Sequence, residues 1–188
     1  MSLSQEERRY LLDLARESVR CAAEDRDLPP IDEHAVPEGL RRDGASFVTL
    51  NKDGQLRGCI GTLEAWRPLV FDVQQNAVGA ALRDPRFPPV RPEELDDLTV
   101  EISVLSLPEP VDYDDAADLL DKLRPGVDGV VIDDGWHRAT FLPQVWEKLP
   151  DKPQFLQRLC LKAGLPPDAY AGGELDVWTY QVEKLKGR

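Results

Sequence analysis

Two Asp-Gly dipeptides, at residues 53–54 and 134–135, each sit between strand-patterned runs, and they constrain the fold more than any other feature of the chain. Asp-Gly supplies the positive φ angles that a tight hairpin turn demands. The runs are ASFVTL and QLRGCIGTL around NKDG, and the two halves of GVVIDDGWHRATFLP around the second pair. Hairpins join antiparallel neighbours, so the sheet is expected to be mostly antiparallel.

Each hairpin is followed by a helical pattern. After the first, Pro68 suits a first helical position, and Leu69, Val70, Val73, Ala77, Ala80 and Ala81 form one apolar face that ends at Asp84-Pro85. After the second, Asp151 to Ala163 reads as a helix closed by Gly164 in the C′ position, with Leu165 behind it. Upstream, Ser4 to Glu7 reads as a capping box for an amphipathic helix through Tyr10, Leu11, Leu14, Ala15, Val19 and Ala22. TVEISVLS has the period of a half-buried strand, Asp114 to Leu123 reads as a short helix, and LDVWTYQV as the last strand. The expected fold class is α+β: mostly antiparallel sheet with flanking helices, in two hairpin-plus-helix units that suggest an internal duplication. No composition break marks a linker, so a single domain over residues 1–188 is expected.

Charge excludes some partners. A net charge of -12 repels nucleic acid and anionic membrane. No apolar run approaches the roughly 20 residues of a membrane span. Three cysteines, Cys21, Cys59 and Cys160, form no CxxC pair, and the chain starts MSLSQEERRY rather than with an apolar signal, so a reduced, cytoplasmic protein is expected. Between Asn51 and Arg91 six basic residues face four acidic ones, a local +2 that leaves -14 for the rest.

That basic window holds LRGCIG. Strict alternation along the strand puts Arg57 and Cys59 on one face, and a guanidinium so close would favour the nucleophilic thiolate. Cys59 therefore has two readings, an activated thiol or a small buried hydrophobe. Gly58 and Gly61 also have two, since a missing side chain admits either a ligand or a packed helix. The helix opening at Arg67-Pro68 could hold a small anion beside Arg67 and Arg57, or carry an ordinary cap. Arg86 and Phe87 would add a charge and a flat apolar face if the rigid link RDPRFPPVRP folds back over the strand. A cysteine hydrolase would need a base, and the chain offers only His34 and His137, neither at a diagnostic spacing. No metal-ligand spacing, GxGxxG, P-loop or GxSxG is present, so neither metal nor cofactor is expected.

LRGCIGT (56–62), DPRFPPV (84–90), EISVLSLPEPV (101–111), FLPQVW (141–146) and FLQRLCLKAGLP (155–166) together resemble the AMMECR domain family, in the bacterial form belonging to the AmmeMemoRadiSam system. The resemblance covers nearly the whole chain in the family's order. It implies an α+β protein whose motif strand lines a cleft between a larger and a smaller part, and company with a radical SAM protein and a Memo-like protein. It implies no particular reaction. Carried over, the motifs give Leu56 to Gly61 and Asp84 to Pro88 as the site, while WEKLPDKPQF departs from the family's acidic run after LPQV. Two functions follow: a substrate- or partner-binding component, or a cysteine-dependent enzyme with Cys59 as nucleophile.

Overall fold

The structure, a computed structural model, describes residues 2–187. Its packing divides into two compact units: the first runs to Leu105 and takes back the chain from Glu183, and the second is Ser106–Val182.

The first unit opens with α1 (Gln5–Ala23), and the Ser4 hydroxyl accepts the Glu7 N–H while the Glu7 carboxylate accepts the Ser4 N–H, the expected capping box. Strands β1 (Ala45–Lys52) and β2 (Gln55–Gly61) form the first hairpin, with Asp53 and Gly54 at φ 52° and 76°. Two positive φ angles in a row define the turn whose twist matches the strands. Helix α2 (Leu69–Leu82) follows, starting one residue later than expected because Pro68 stays extended at ψ 136°. A 3-10 helix, Pro92–Asp97, leads into β3 (Leu98–Leu105). Val48, Leu50, Val100 and Ile102 on one sheet face pack against Leu11, Ala15, Val73 and Ala77 of the two helices.

In the second unit, β4 (Glu109–Pro110) precedes α3 (Ala116–Lys122), capped by the Asp115 carboxylate on the Asp118 N–H. The second hairpin is β5 (Gly129–Asp133) with β6 (Arg138–Phe141), joined through residues 134–137 rather than by a two-residue turn. Helix α4 (Lys152–Lys162) ends as expected, with Gly164 at φ 80°, its N–H on the Leu161 carbonyl and the Leu165 N–H on that of Cys160. Phe155 of α4 is the core of this unit. It stacks on Trp146 at 3.6 Å and meets Phe141 edge-on at 5.3 Å. Burying such a ring contributes about 1.5–3 kcal/mol.

β7 (Asp176–Tyr180) was expected to be the last strand, but after Gln181 the chain forms β8 (Val182–Gly187), which lies beside β3 in the first sheet. Its Lys184 and Lys186, both reaching Glu101, disguise it as a polar tail. Lysines are a common protection for a strand at a sheet edge. The strand orders are β2-β1-β3-β8 and β4-β7-β5-β6. A helix–hairpin–helix–strand order thus occurs twice, with neighbours β2-β1-β3 in one unit and β6-β5-β7 in the other.

Candidate functional site

The motif strand β2 lies at a sheet edge with only β1 beside it, so its outer N–H and C=O groups need other partners. Pairing runs from Phe47 opposite Gly61 to Leu50 opposite Gly58, then slips, so that Asn51 faces Leu56 and Arg57 has no residue opposite. Arg57 is the extra residue of a β-bulge. The slip breaks the alternation expected from the sequence. Cys59, opposite Thr49, and Leu56, opposite Asn51, fall on one face, while Gly58 and Ile60 face the helices with Leu50 and Val48.

The Arg57 guanidinium is committed elsewhere. Its Nε and Nη2 donate to the two Glu94 carboxylate oxygens at 3.0 and 2.9 Å, and Nη1 and Nη2 donate to the Pro88 and Pro89 carbonyls at 3.0 and 3.3 Å. Both partners of the ion pair are largely buried. Arg57 holds the Glu94 carboxyl down to about 2 against the cost of burial. The bulge therefore aims Arg57 at the proline link, fastening that link along the strand.

Asp84 fastens it a second time. One oxygen of this buried carboxylate accepts the Cys59 N–H at 2.8 Å, and the pair of oxygens accepts Arg86 through its N–H, Nε and Nη2 at 3.0, 3.0 and 2.7 Å. The Arg86 hydrogen bond, opposed by burial, holds the Asp84 carboxyl far below the usual range. Arg86 Nη2 also approaches the Cys59 carbonyl at 3.4 Å. Asp84 and Arg86 thus meet the backbone N–H and C=O of one residue, as a neighbouring strand would. DPRFPP thus lies back along β2, and Phe87 lies under the Arg86 guanidinium at 5.6 Å. The half-buried Cys59 thiol accepts a hydrogen bond from the Thr49 hydroxyl, its cross-strand partner, at 3.2 Å.

The glycines serve packing. A Cβ on Gly58 would run into the Ala80 carbonyl oxygen of α2, and one on Gly61 into the Phe47 ring. Gly79 on α2 returns the fit, since a Cβ there would stand 2.9 Å from Ile60. Strand and helix approach closely enough that neither can carry a side chain at these crossings.

Arg67 donates from Nε to Asp72 at 2.8 Å and stacks on the exposed Trp66 at 4.5 Å. Asp72, fully buried in the first turn of α2, also accepts the Ser46 hydroxyl at 2.6 Å, the Thr62 hydroxyl at 2.8 Å and the Asn76 amide at 2.9 Å. A carboxylate of the chain itself thus occupies the helix start next to Arg67, and the first helical N–H, on Leu69, goes to the Arg42 carbonyl. Arg57, Arg67 and Arg86 each face a buried or largely buried carboxylate, Glu94, Asp72 and Asp84, so each of the three guanidiniums has a countercharge within the fold.

Sequence reasoning missed Glu94, Asp72, Ser46, Asn76 and Thr49. Nothing in the sequence announces that Arg57 has its partner 37 residues away in Glu94. Of the two histidines, His34 lies in the link after α1, and His137 sits in the second hairpin loop with Nδ1 at 3.1 Å from Asp134. Among the described residues no three His, Cys, Asp or Glu side chains are grouped to hold a metal ion. Nor is any helix long and apolar enough to cross a membrane.

A family model described as AMMECR1 matches residues 12–185. A protein of Methanothermobacter thermautotrophicus is 43% identical over 185 residues, covering 96% of this chain and 94% of its own. A protein of Thermotoga maritima is 40% identical over 157 residues, with 82% and 84% covered. The crystal structure of uncharacterized protein PH0010 from Pyrococcus horikoshii is similar with a TM-score of 0.80 and 34% identity, over 97% of this chain and 92% of that one.

Proposed function

The chain belongs to the AMMECR1 family, and from that premise we propose that it is a substrate- or partner-binding component that acts with a radical SAM protein and a Memo-like protein. The partners supply the difficult chemistry and this chain supplies a rigid surface. The observation that carries the reading is the commitment of the motif's own charged groups. Arg57 is spent on Glu94 and two prolyl carbonyls, Asp84 on Cys59 and Arg86, and the Cys59 thiol meets a threonine hydroxyl rather than a base. Nucleophilic catalysis would ask for a base in hydrogen-bond reach of the thiol. Three free thiols accord with a reduced, cytoplasmic setting.

Calorimetric titration of the purified chain with the radical SAM and Memo-like proteins of the same organism tests this. A saturable complex with a Kd of about 1 μM or tighter is expected with at least one of them. The Cys59→Ser chain should bind within about twofold of wild type, since serine nearly keeps the volume of cysteine and loses only its nucleophilicity. If neither protein binds, while the isolated chain hydrolyses esters or thioesters and Cys59→Ser abolishes that turnover, the chain is a cysteine-dependent enzyme instead.

A further inference from the structure

The β5–β6 hairpin ends in a loop that carries Trp136 with 92% of its surface exposed. The loop is held firmly. Asp133 accepts the Gly135 N–H at 2.7 Å, and Asp134 accepts the Trp136 and His137 N–H groups at 2.9 and 2.7 Å and bonds the His137 ring at 3.1 Å. Those bonds, the one from Trp136 first, hold the Asp134 carboxyl down to about 2, so it stays ionised. Three successive backbone donors are satisfied by two neighbouring carboxylates, which fixes the backbone under the indole. A tryptophan whose backbone is already fixed has only its two side-chain torsions left to order on docking, and tryptophan recurs as an interface anchor.

The end of α4 adjoins the loop, since a Cβ on Gly164 would lie 4.0 Å from the His137 ring. This helix end also carries Leu161, 50% exposed. Charge narrows the choice of partner. Residues 106–182 hold fourteen acidic and seven basic side chains, so this unit carries -7 of the chain's -12. A second copy would bring the same -7, and an anionic membrane would be repelled in the same way. We propose that the Trp136 loop is a docking anchor for a protein partner that presents an apolar face rimmed by lysine or arginine, such as a basic amphipathic helix. Trp136 enters the apolar face, and the net negative charge of the unit meets the basic rim, Asp133 itself being paired with Arg138 at 3.6 Å. The proposal is independent of the role given to β2.

The probe is a synthetic amphipathic helical peptide of leucine and lysine, titrated into the full chain by calorimetry with tryptophan emission followed alongside, and matched with a leucine–glutamate peptide of the same pattern. The lysine peptide should shift wild-type emission to the blue, with an affinity about tenfold above that for Trp136→Ala, the scale of one anchor residue. The variant should keep its thermal midpoint, because a side chain 92% exposed contributes little burial. Equal affinity in the variant, or equal binding of the glutamate peptide, would overturn the proposal. So would a Trp136-dependent shift with phosphatidylserine vesicles in place of the peptide, or Trp136-dependent self-association in sedimentation.

Discussion

Replacing Asp72 with alanine is expected to cost about 4 kcal/mol, the scale of breaking a buried ion pair from one side. Four side chains lose their acceptor at once. The Ser46 and Thr62 hydroxyls and the Asn76 amide are left as donors in or beside the core, and Arg67 loses its carboxylate. A loss of that size is a large share of an ordinary domain's stability. Differential scanning calorimetry should show the first unit melting at least about 10 °C earlier. Asp72→Asn should be nearly as damaging, because the amide keeps the shape but leaves Arg67 without its countercharge and offers a donor where donors already converge. A change under about 1 kcal/mol in both variants would reduce the network to an exposed pair.

Gly58→Ala is expected to cost about 3 kcal/mol, at the upper end of what overpacking does, because the added methyl meets helix backbone rather than a side chain that can rotate away. The obstacle is the Ala80 carbonyl oxygen, already fixed in α2. Gly172→Ala is the control, since nothing lies within 4 Å of a Cβ there and its φ is not positive. It should stay within about 0.5 kcal/mol of wild type in urea denaturation. The outcome separates the two readings of the motif glycines. Had Gly58 been left bare for a ligand, Gly58→Ala would fold normally and lose binding; a packing glycine loses stability first.

What the sequence made legible was local. Asp53-Gly54 turns the first hairpin, Ser4 and Glu7 cap each other, and Gly164 closes α4, all within a few residues of chain. Each of these features is its own short-range bargain between side chain and backbone, so a sequence window contains all of its terms. The bulge at Arg57 is different. One residue of slip between Leu50 and Asn51 reassigns a side chain, and no pattern in QLRGCIG announces it. Arg57 and Cys59 were expected to work together because alternation was assumed; the slip sends Arg57 to Glu94, and the thiol meets Thr49 instead. β8 was hidden by its lysines for a related reason, because an edge strand is guarded by the residues that make it look unstructured.

The alkylation rate of Cys59 tests directly whether the motif is a frame or an activated site. Iodoacetamide is applied to the folded chain at pH 7, peptides are mapped over time, and the Cys59 rate is set against that of glutathione. Cys21 and Cys160 serve as internal references, since both are buried and burial pushes their thiols up. A half-buried thiol whose strand neighbour Arg57 is committed to Glu94 should react more slowly than glutathione, at a rate unchanged by Arg57→Leu in chains that remain folded. A Cys59 rate about tenfold above glutathione, falling when Arg57 is replaced, would contradict the frame and restore an arginine-activated nucleophile.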